Sequence, residues 1–304
     1  MDTSVKLGEL TLRNPVIPAS GTFGFGHEMA KWYDLNRLGA VALKGTTREA
    51  RFGNPTPRVA ECEAGLLNAV GLQNPGVEAV VREELPRLRA VYSGPVIANV
   101  CGFSAEEYVE VARRFDEAGA DLLEINVSCP NVRHGGLAFG ASPEAAAAIT
   151  AAVKAAVKKP VYMKLSPNAA DIAAVARACE EAGADGLTLI NTLLGMRVNP
   201  RTGRPLVSTV TSGFSGPAIK PVALRMVFEV CRAVKIPVVG VGGIASADDL
   251  LEFLSAGASA VQIGAQNLVD PYACLRVVEE LPKRMEEYGI RDLKSIIGRT
   301  GNGQ

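Results

Sequence analysis

The feature that most limits how this chain can fold is a recurring unit: a short β-branched apolar run, a tight turn, then an Ala/Glu/Lys/Arg-rich stretch of helical period. Runs of this kind stand at Val16–Ser20, Ala40–Thr46, Val96–Val100, Leu122–Ser128, Val161–Ser166, Gly186–Asn191, Val238–Gly243 and Ala260–Ala265. Most are continuously apolar rather than alternating, as strands buried on both faces of a parallel sheet must be. Eight is the number that closes a (β/α)8 TIM barrel. An open Rossmann-type sheet is the rival, but no break in composition divides the chain in the middle, which favours closure.

The stretches between the runs carry helix signals. Ala105–Ala118 follows Ser104, an expected N-cap, with Glu107 placed to complete a capping box. Pro143–Lys158 follows Ser142 as cap with proline at the first helical position. Ala169–Ala182 and Ala247–Ala256 each stop at a glycine, Gly183 and Gly257. The phrase E-A-G-A-D occurs at Glu117–Asp121 and again at Glu181–Asp185, and S-A-G-A-S at Ser255–Ser259. Each is an echo of one βα unit, where a helix end feeds the next strand. Val5–Leu7 and Leu10–Leu12 across Gly8-Glu9 read as a short N-terminal β-hairpin at the barrel bottom. Two βα connections, from Thr47 to about Pro75 and from Thr192 to about Ile219, are long loops over the C-terminal face, where barrel enzymes keep their active sites.

Bulk properties narrow the function classes. At 304 residues the chain is near the upper range of a one-domain barrel. Basic and acidic side chains balance at 32 each, which gives no footprint for nucleic acid or an anionic membrane. No apolar run reaches the ~20 residues of a membrane span, and Met1 to Leu12 lack a signal-peptide core, so a cytoplasmic protein is expected. The six cysteines, at 62, 101, 129, 179, 231 and 274, include no C-x-x-C pair. That disfavours an iron–sulfur or structural zinc site within this chain, and no metal ligand set is assigned.

Four stretches carry chemistry. Gly240–Ile244 (G-V-G-G-I), with Ser246 opening a helix, and Gln262–Ala265 (Q-I-G-A) put glycines at the ends of the last two strands, where backbone N–H groups and helix dipoles favour phosphate. Gly240, Gly242 and Ala245 also satisfy G-x-G-x-x-G/A, but this lies on the seventh strand with no carboxylate ending the next, so NAD is not expected there. Lys44 and Lys164 lie at the ends of apolar strands, where a cofactor or substrate anion is a better partner than a structural carboxylate; Glu124 is the one carboxylate near them. Either lysine would also suit a Schiff base. Asn99, Asn126 and Asn191 close strands although asparagine is a poor strand former, and Asn68 lies in the first long loop; together they suit a planar heterocycle. Finally, Cys129 in N-V-S-C-P-N follows the fourth strand in a Pro/Gly loop, with a thiol pKa of about 8.5 near enough to neutrality for a general base. His134 in the same loop is its rival, whereas His27 reads as a surface residue.

Together these stretches resemble the dihydroorotate dehydrogenases, specifically the catalytic subunit of the class 1B, NAD-linked form. The matching wording spans nearly the whole chain: N-P-V-I-P-A-S-G-T-F-G-F-G, A-L-K-G-T-T, R-F-G-N-P-T-P-R, L-L-N-A-V-G-L-Q-N-P-G, N-V-S-C-P-N, M-K-L-S-P-N, I-N-T-L, S-G-P-A-I-K-P and G-V-G-G-I. The resemblance implies oxidation of (S)-dihydroorotate to orotate in de novo pyrimidine (UMP) biosynthesis, on a single FMN-binding domain covering 1–304. It implies FMN contacts from Ser20, Lys44, Gly45, Asn99, Asn126, Lys164, Ile190, Gly216, Gly242, Gly243, Gly264 and Ala265. Of these, Gly45 and Ala265 depart from the alanine or threonine that relatives often carry. Orotate contacts are implied for Lys44, Asn68, Ala69, Val70, Gly71, Leu72, Asn126, Asn191 and Thr192, with Cys129 as catalytic base. In the 1B form electrons pass from FMN through an iron–sulfur cluster and FAD to NAD. With neither clustered thiolates nor a dinucleotide fingerprint here, the FAD and cluster are expected on a separate electron-transfer subunit, around a homodimer of this chain within a heterotetramer. A stand-alone class 1A-type dehydrogenase with a soluble acceptor is the rival within the family. A lysine aldolase or phosphosugar isomerase is the rival outside it.

Overall fold

The computed structural model describes residues 1–128 and 140–301. Strands β1 (Val5–Leu7) and β2 (Leu10–Leu12) pair antiparallel as the N-terminal hairpin. The barrel strands are β3 (Val16–Pro18), β4 (Val41–Ala42), β7 (Val96–Val100), β8 (Leu122–Asn126), β9 (Val161–Lys164), β10 (Gly186–Leu189), β13 (Val238–Val241) and β14 (Ala260–Ile263). They form one eight-stranded parallel sheet in the order β3-β14-β13-β10-β9-β8-β7-β4. Its edges meet where the Gly39 N–H donates to the Val16 carbonyl at 3.0 Å, closing the barrel. A side chain at Gly39 would collide with the Asn14 carbonyl, so the seam needs glycine there.

All eight expected runs hold strands, but seven of the eight ladders end two to four residues before the apolar run does. Leu43, Leu165 and Ile190 lie just past the regular strands, stay buried, and each still donates its N–H to the next strand, at the Ile97, Thr188 and Val241 carbonyls, so pairing continues irregularly under the apolar run. Helices Ala105–Glu117, Pro143–Lys154, Ile172–Glu181 and Ala247–Ala256 take the expected places, the first three shorter than expected. Helices Lys220–Ala233 and Ala273–Glu287 add to the outer layer. The Ser104 capping box does not close as expected. Ser104 accepts from the Glu107 N–H at 3.3 Å, but the Glu107 carboxylate turns back to the Phe103 N–H at 2.9 Å. The reciprocal pair forms instead between Ser246 and Asp249.

The two long connections hold structure of their own. From the first come β5 (Val59–Cys62) and β6 (Gly65–Asn68), from the second β11 (Leu193–Gly195) and β12 (Ser212–Ser215). These pair antiparallel in the order β11-β12-β6-β5, with Phe214 opposite both Leu67 and Leu193. What the sequence presents as two loops is therefore one four-stranded sheet at the C-terminal end of the barrel.

Alternation along the barrel strands sorts their residues by face. On β8, Leu122, Glu124 and Asn126 share one face, while Leu123 and Ile125 share the other. Register places Asn99 beside Glu124, and Asn126 beside Lys164. Polar residues thus gather at the C-terminal end of the barrel interior. No helix among the described residues is long and apolar enough to cross a membrane.

Candidate active site

A cavity of about 300 Å³ opens at the C-terminal ends of the barrel strands and continues under the antiparallel sheet, whose Val59, Leu66, Asn68 and Ser215 form one wall. Its size is at the lower end of the range for small-molecule sites. Ser20, Lys44, Gly45, Asn99, Asn126, Lys164, Ile190, Gly216, Gly242, Gly243, Gly264 and Ala265 all line it, as do Asn68, Val70, Gly71, Leu72, Asn191 and Thr192. These positions lie far apart in sequence, and parallel strands bring them to one rim.

Two expected site residues stand apart from that set. Ala69 is fully buried and does not line the cavity; its N–H extends the β5–β6 pairing by donating to the Arg58 carbonyl at 2.7 Å. Alternation explains this, since neighbours Asn68 and Val70 take the cavity side and Ala69 faces away. Cys129, and its rival His134, lie outside the described residues.

A chain of hydrogen bonds runs beneath and along the cavity. The Lys164 ammonium donates to the Glu124 carboxylate at 3.3 Å and to the Gln262 carbonyl oxygen at 3.1 Å. Glu124 also accepts from the side-chain amides of Asn99, at 2.6 Å, and Gln262, at 2.5 Å. The Asn99 oxygen faces the Asn126 amide at 3.4 Å. Asn126 accepts from the Ser128 hydroxyl at 2.9 Å, and Ser128 accepts from the Asn191 amide at 2.8 Å. Lys164 is thus held by a structural carboxylate, contrary to expectation, and still reaches the cavity. The expectation failed because Glu124 sits one layer below the strand end, inside the barrel. A buried ammonium needs compensation there. With two of its three donors engaged among the described residues, one remains for a ligand.

The other end of the cavity is backbone. Gly242 and Gly243 have φ of 138° and 72°, and a side chain on either would meet the helix Lys220–Ala233, at Ala223 and Lys220. The chain therefore leaves β13 as bare main chain facing the cavity, as an anion-binding turn requires. Ala245, which also lines the cavity, is held by Asp249, whose carboxylate accepts from the Ala245 and Ser246 N–H groups at 2.8 and 2.9 Å. Burial pushes the Asp249 pKa up, but the Lys220 ammonium at 2.5 Å and the backbone donors outweigh it, and the net shift is downward.

The loop 68–72 is shaped by strain and by one asparagine. Gly71 and Leu72 are both left-handed, at φ 76° and 59°; for leucine that conformation costs about 1 kcal/mol. Asn74 holds it. The Asn74 oxygen accepts from the Thr47 and Gly76 N–H groups, and its amide donates to the Thr47 hydroxyl at 2.8 Å and the Leu72 carbonyl at 2.7 Å. Thr192 lines the cavity, and its hydroxyl is buried beside Gly213 with no partner among the described residues.

Glu124, Gln262, Ser128 and Asn74 escaped assignment from sequence. Asn74 carried the clearest available signal, the N-P-G turn at Asn74–Gly76. Glu124 and Gln262 were visible as polar residues inside apolar strands. Elsewhere, His27 is half-buried against Glu84, with the ring nitrogen 2.6 Å from the carboxylate and Glu28 nearby, rather than at the surface as expected. A hollow of about 590 Å³ beside helices Lys220–Ala233 and Ala247–Ala256 is roomier, but it has none of the strand-end groups.

The chain is similar to known proteins over nearly its whole length. The family model for dihydroorotate dehydrogenase matches residues 3–285. Among curated relatives, the "Dihydroorotate dehydrogenase B (NAD(+)), catalytic subunit" of Anoxybacillus flavithermus is 57% identical over 303 residues, 99% of this chain and 97% of its own. The proteins of the same description from Geobacillus kaustophilus and Enterococcus faecalis are 54% and 51% identical, over 98% and 99% of this chain and 95% and 97% of their own. The barrel, the rim it assembles and these likenesses agree: the chain belongs to the dihydroorotate dehydrogenase family.

Proposed function

We propose that this chain oxidises (S)-dihydroorotate to orotate, a step of pyrimidine biosynthesis, as the catalytic subunit of an NAD-linked enzyme. One observation carries the reading: Lys44, Asn99, Asn126, Lys164 and Asn191 line a single cavity with a glycine-walled end, in a member of this family.

The residues present fit a flavin mononucleotide. Main chain at Gly216, Gly242, Gly243, Gly264 and Ala265 suits the phosphate. The remaining Lys164 donor, with Asn99 and Ile190 beside it, suits a flat ring whose polar edge gains negative charge on reduction. FMN, when bound there, would supply the two-electron oxidant for loss of the C6 hydrogen of dihydroorotate with its electron pair.

The chain's own groups do the rest. Lys44 and the amides of Asn68, Asn126 and Asn191 hold the substrate carboxylate and imide, with Thr192 and the main chain of 69–72 beside them. Cys129, next in sequence to Ser128, takes the C5 proton as the C5–C6 double bond forms. Strands of the antiparallel sheet wall one side of the cavity, which narrows the access of water to it.

Electrons leave toward NAD through a partner subunit carrying FAD and an iron–sulfur cluster, with two copies of this chain in a heterotetramer in the cytoplasm. The unclustered cysteines support placing the cluster on the partner. The test is Cys129→Ala. Turnover should fall to near zero while flavin stays bound, and a largely active variant would remove the base assignment.

A further inference from the structure

Every neighbour of Glu124 in this network is a donor aimed at it. Oε1 accepts from the Asn99 amide and the Lys164 ammonium, and Oε2 from the Gln262 amide. A carboxylate is acceptor-only, so both amides have one choice of orientation. With its NH2 committed downward, Gln262 must turn its oxygen to Lys164, and the two are 3.1 Å apart. Asn99, likewise committed, must turn its oxygen to the Asn126 amide. Asn126 then has its own oxygen left for the Ser128 hydroxyl and N–H, at 2.9 and 3.3 Å. One fully buried side chain, itself outside the cavity wall, thereby sets the sense of a relay reaching the rim.

We propose that Glu124 is a positioning residue that fixes which atoms Lys164, Asn99 and Asn126 present to flavin and substrate. The inference rests on the reading that this cavity takes FMN and dihydroorotate. Glutamine at 124 would be nearly isosteric but would carry its own NH2. Either Gln262 or Asn99 must then flip to receive it. A flipped Gln262 points its NH2 at the Lys164 ammonium; a flipped Asn99 points its NH2 at the Asn126 amide. Donor meets donor inside the barrel in both cases, where an unmade bond carries its full desolvation penalty.

The same logic names a rescue. In the double variant E124Q/Q262E, the amide introduced at position 124 donates to the carboxylate introduced at position 262. The oxygen of that amide still accepts from Asn99 and Lys164, and the relocated carboxylate still accepts from Lys164. The sense of the relay is restored with the same atoms and the same net charge.

The experiment titrates the FMN-free full chain with FMN by quenching of flavin fluorescence, then titrates the loaded chain with orotate by the shift of the flavin absorption bands. E124Q should bind both ligands at least about tenfold more weakly, a loss of ~1.4 kcal/mol each. E124Q/Q262E should return both to within about threefold of the native chain, with the native band shift. A purely structural role for Glu124 would lower thermal stability and leave that band shift unchanged. The proposal is overturned if E124Q binds both ligands within about threefold of the native chain. It is equally overturned if the double variant folds without recovering, or does not fold. Should E124Q itself not fold, the double variant decides. A native chain that binds neither FMN nor orotate contradicts the functional reading instead.

Discussion

Asn74 and Thr47 are joined twice, by the Thr47 N–H donating to the Asn74 oxygen at 3.2 Å and the Asn74 amide donating to the Thr47 hydroxyl at 2.8 Å. The pair ties the loop 68–72, which lines the cavity, to the chain just past β4. Loop geometry at the substrate end therefore depends on a residue that does not itself line the cavity.

Replacing Asn74 with Ala removes four bonds and frees a loop already strained at Leu72. With each bond contributing about 1 kcal/mol net, and part of the loss falling on the loop alone, KM for dihydroorotate should rise by roughly tenfold. FMN affinity should change little. Steady-state kinetics beside a flavin titration separates the two, and equal losses in both would show that Asn74 supports the barrel as a whole.

Lys164 and Glu124 form a pair that is 5% and 0% exposed. Removing one partner strands the other charge, which typically costs about 3–5 kcal/mol. Lys164→Met in the flavin-free chain should therefore lower the unfolding free energy by about that amount, read by urea denaturation. Adding Glu124→Gln should recover most of the loss, because no buried charge then lacks a partner. A double variant as unstable as the single one would show that the ion pair is not what matters there.

Asp249 and Lys220 predict a pH signature. Asp249 has its folded pKa lowered below 3.8, so its contribution is present above that value and is lost as pH falls through the folded value. Lys220 has its folded pKa raised above 10.5, despite burial pulling it down, because Asp249 and Glu252 bond it. Its contribution is present below 10.5 and is lost as pH rises through the folded value. The stability gap between the native chain and Asp249→Asn should thus be flat between roughly pH 5 and 9 and shrink at both extremes. Thermal unfolding across pH measures it, and a gap that grows below about pH 4 would give the wrong sign.

What was legible in the sequence divides along physical lines. Barrel strands announce themselves because both faces are buried, so Val96–Val100 and Val238–Val241 read as unbroken apolar runs. Their ends do not, because Leu43 and Ile190 stay buried and still bond to the next strand past the last regular strand residue. The strands of the antiparallel sheet escaped because V-A-E-C, G-L-L-N, L-L-G and S-G-F-S are three or four residues long and need a partner from the other connection to exist. The rim residues were recognisable because asparagine and lysine are misplaced in apolar strands. Ala69 faces away from the cavity because strand alternation continues through a stretch that the sequence presents as loop. The Lys164–Glu124 pairing is not legible from strand ends, because Glu124 lies two residues before the rim, inside the barrel.

If the barrel mouth holds the flavin as proposed, dihydroorotate alone should reduce it. The most direct measurement is an anaerobic titration of the FMN-loaded chain with dihydroorotate, following the visible absorption of the flavin. Stoichiometric bleaching, with one orotate formed per flavin and no partner protein present, is the predicted result. A flavin that stays yellow with excess dihydroorotate, in a folded chain with FMN bound, would contradict it.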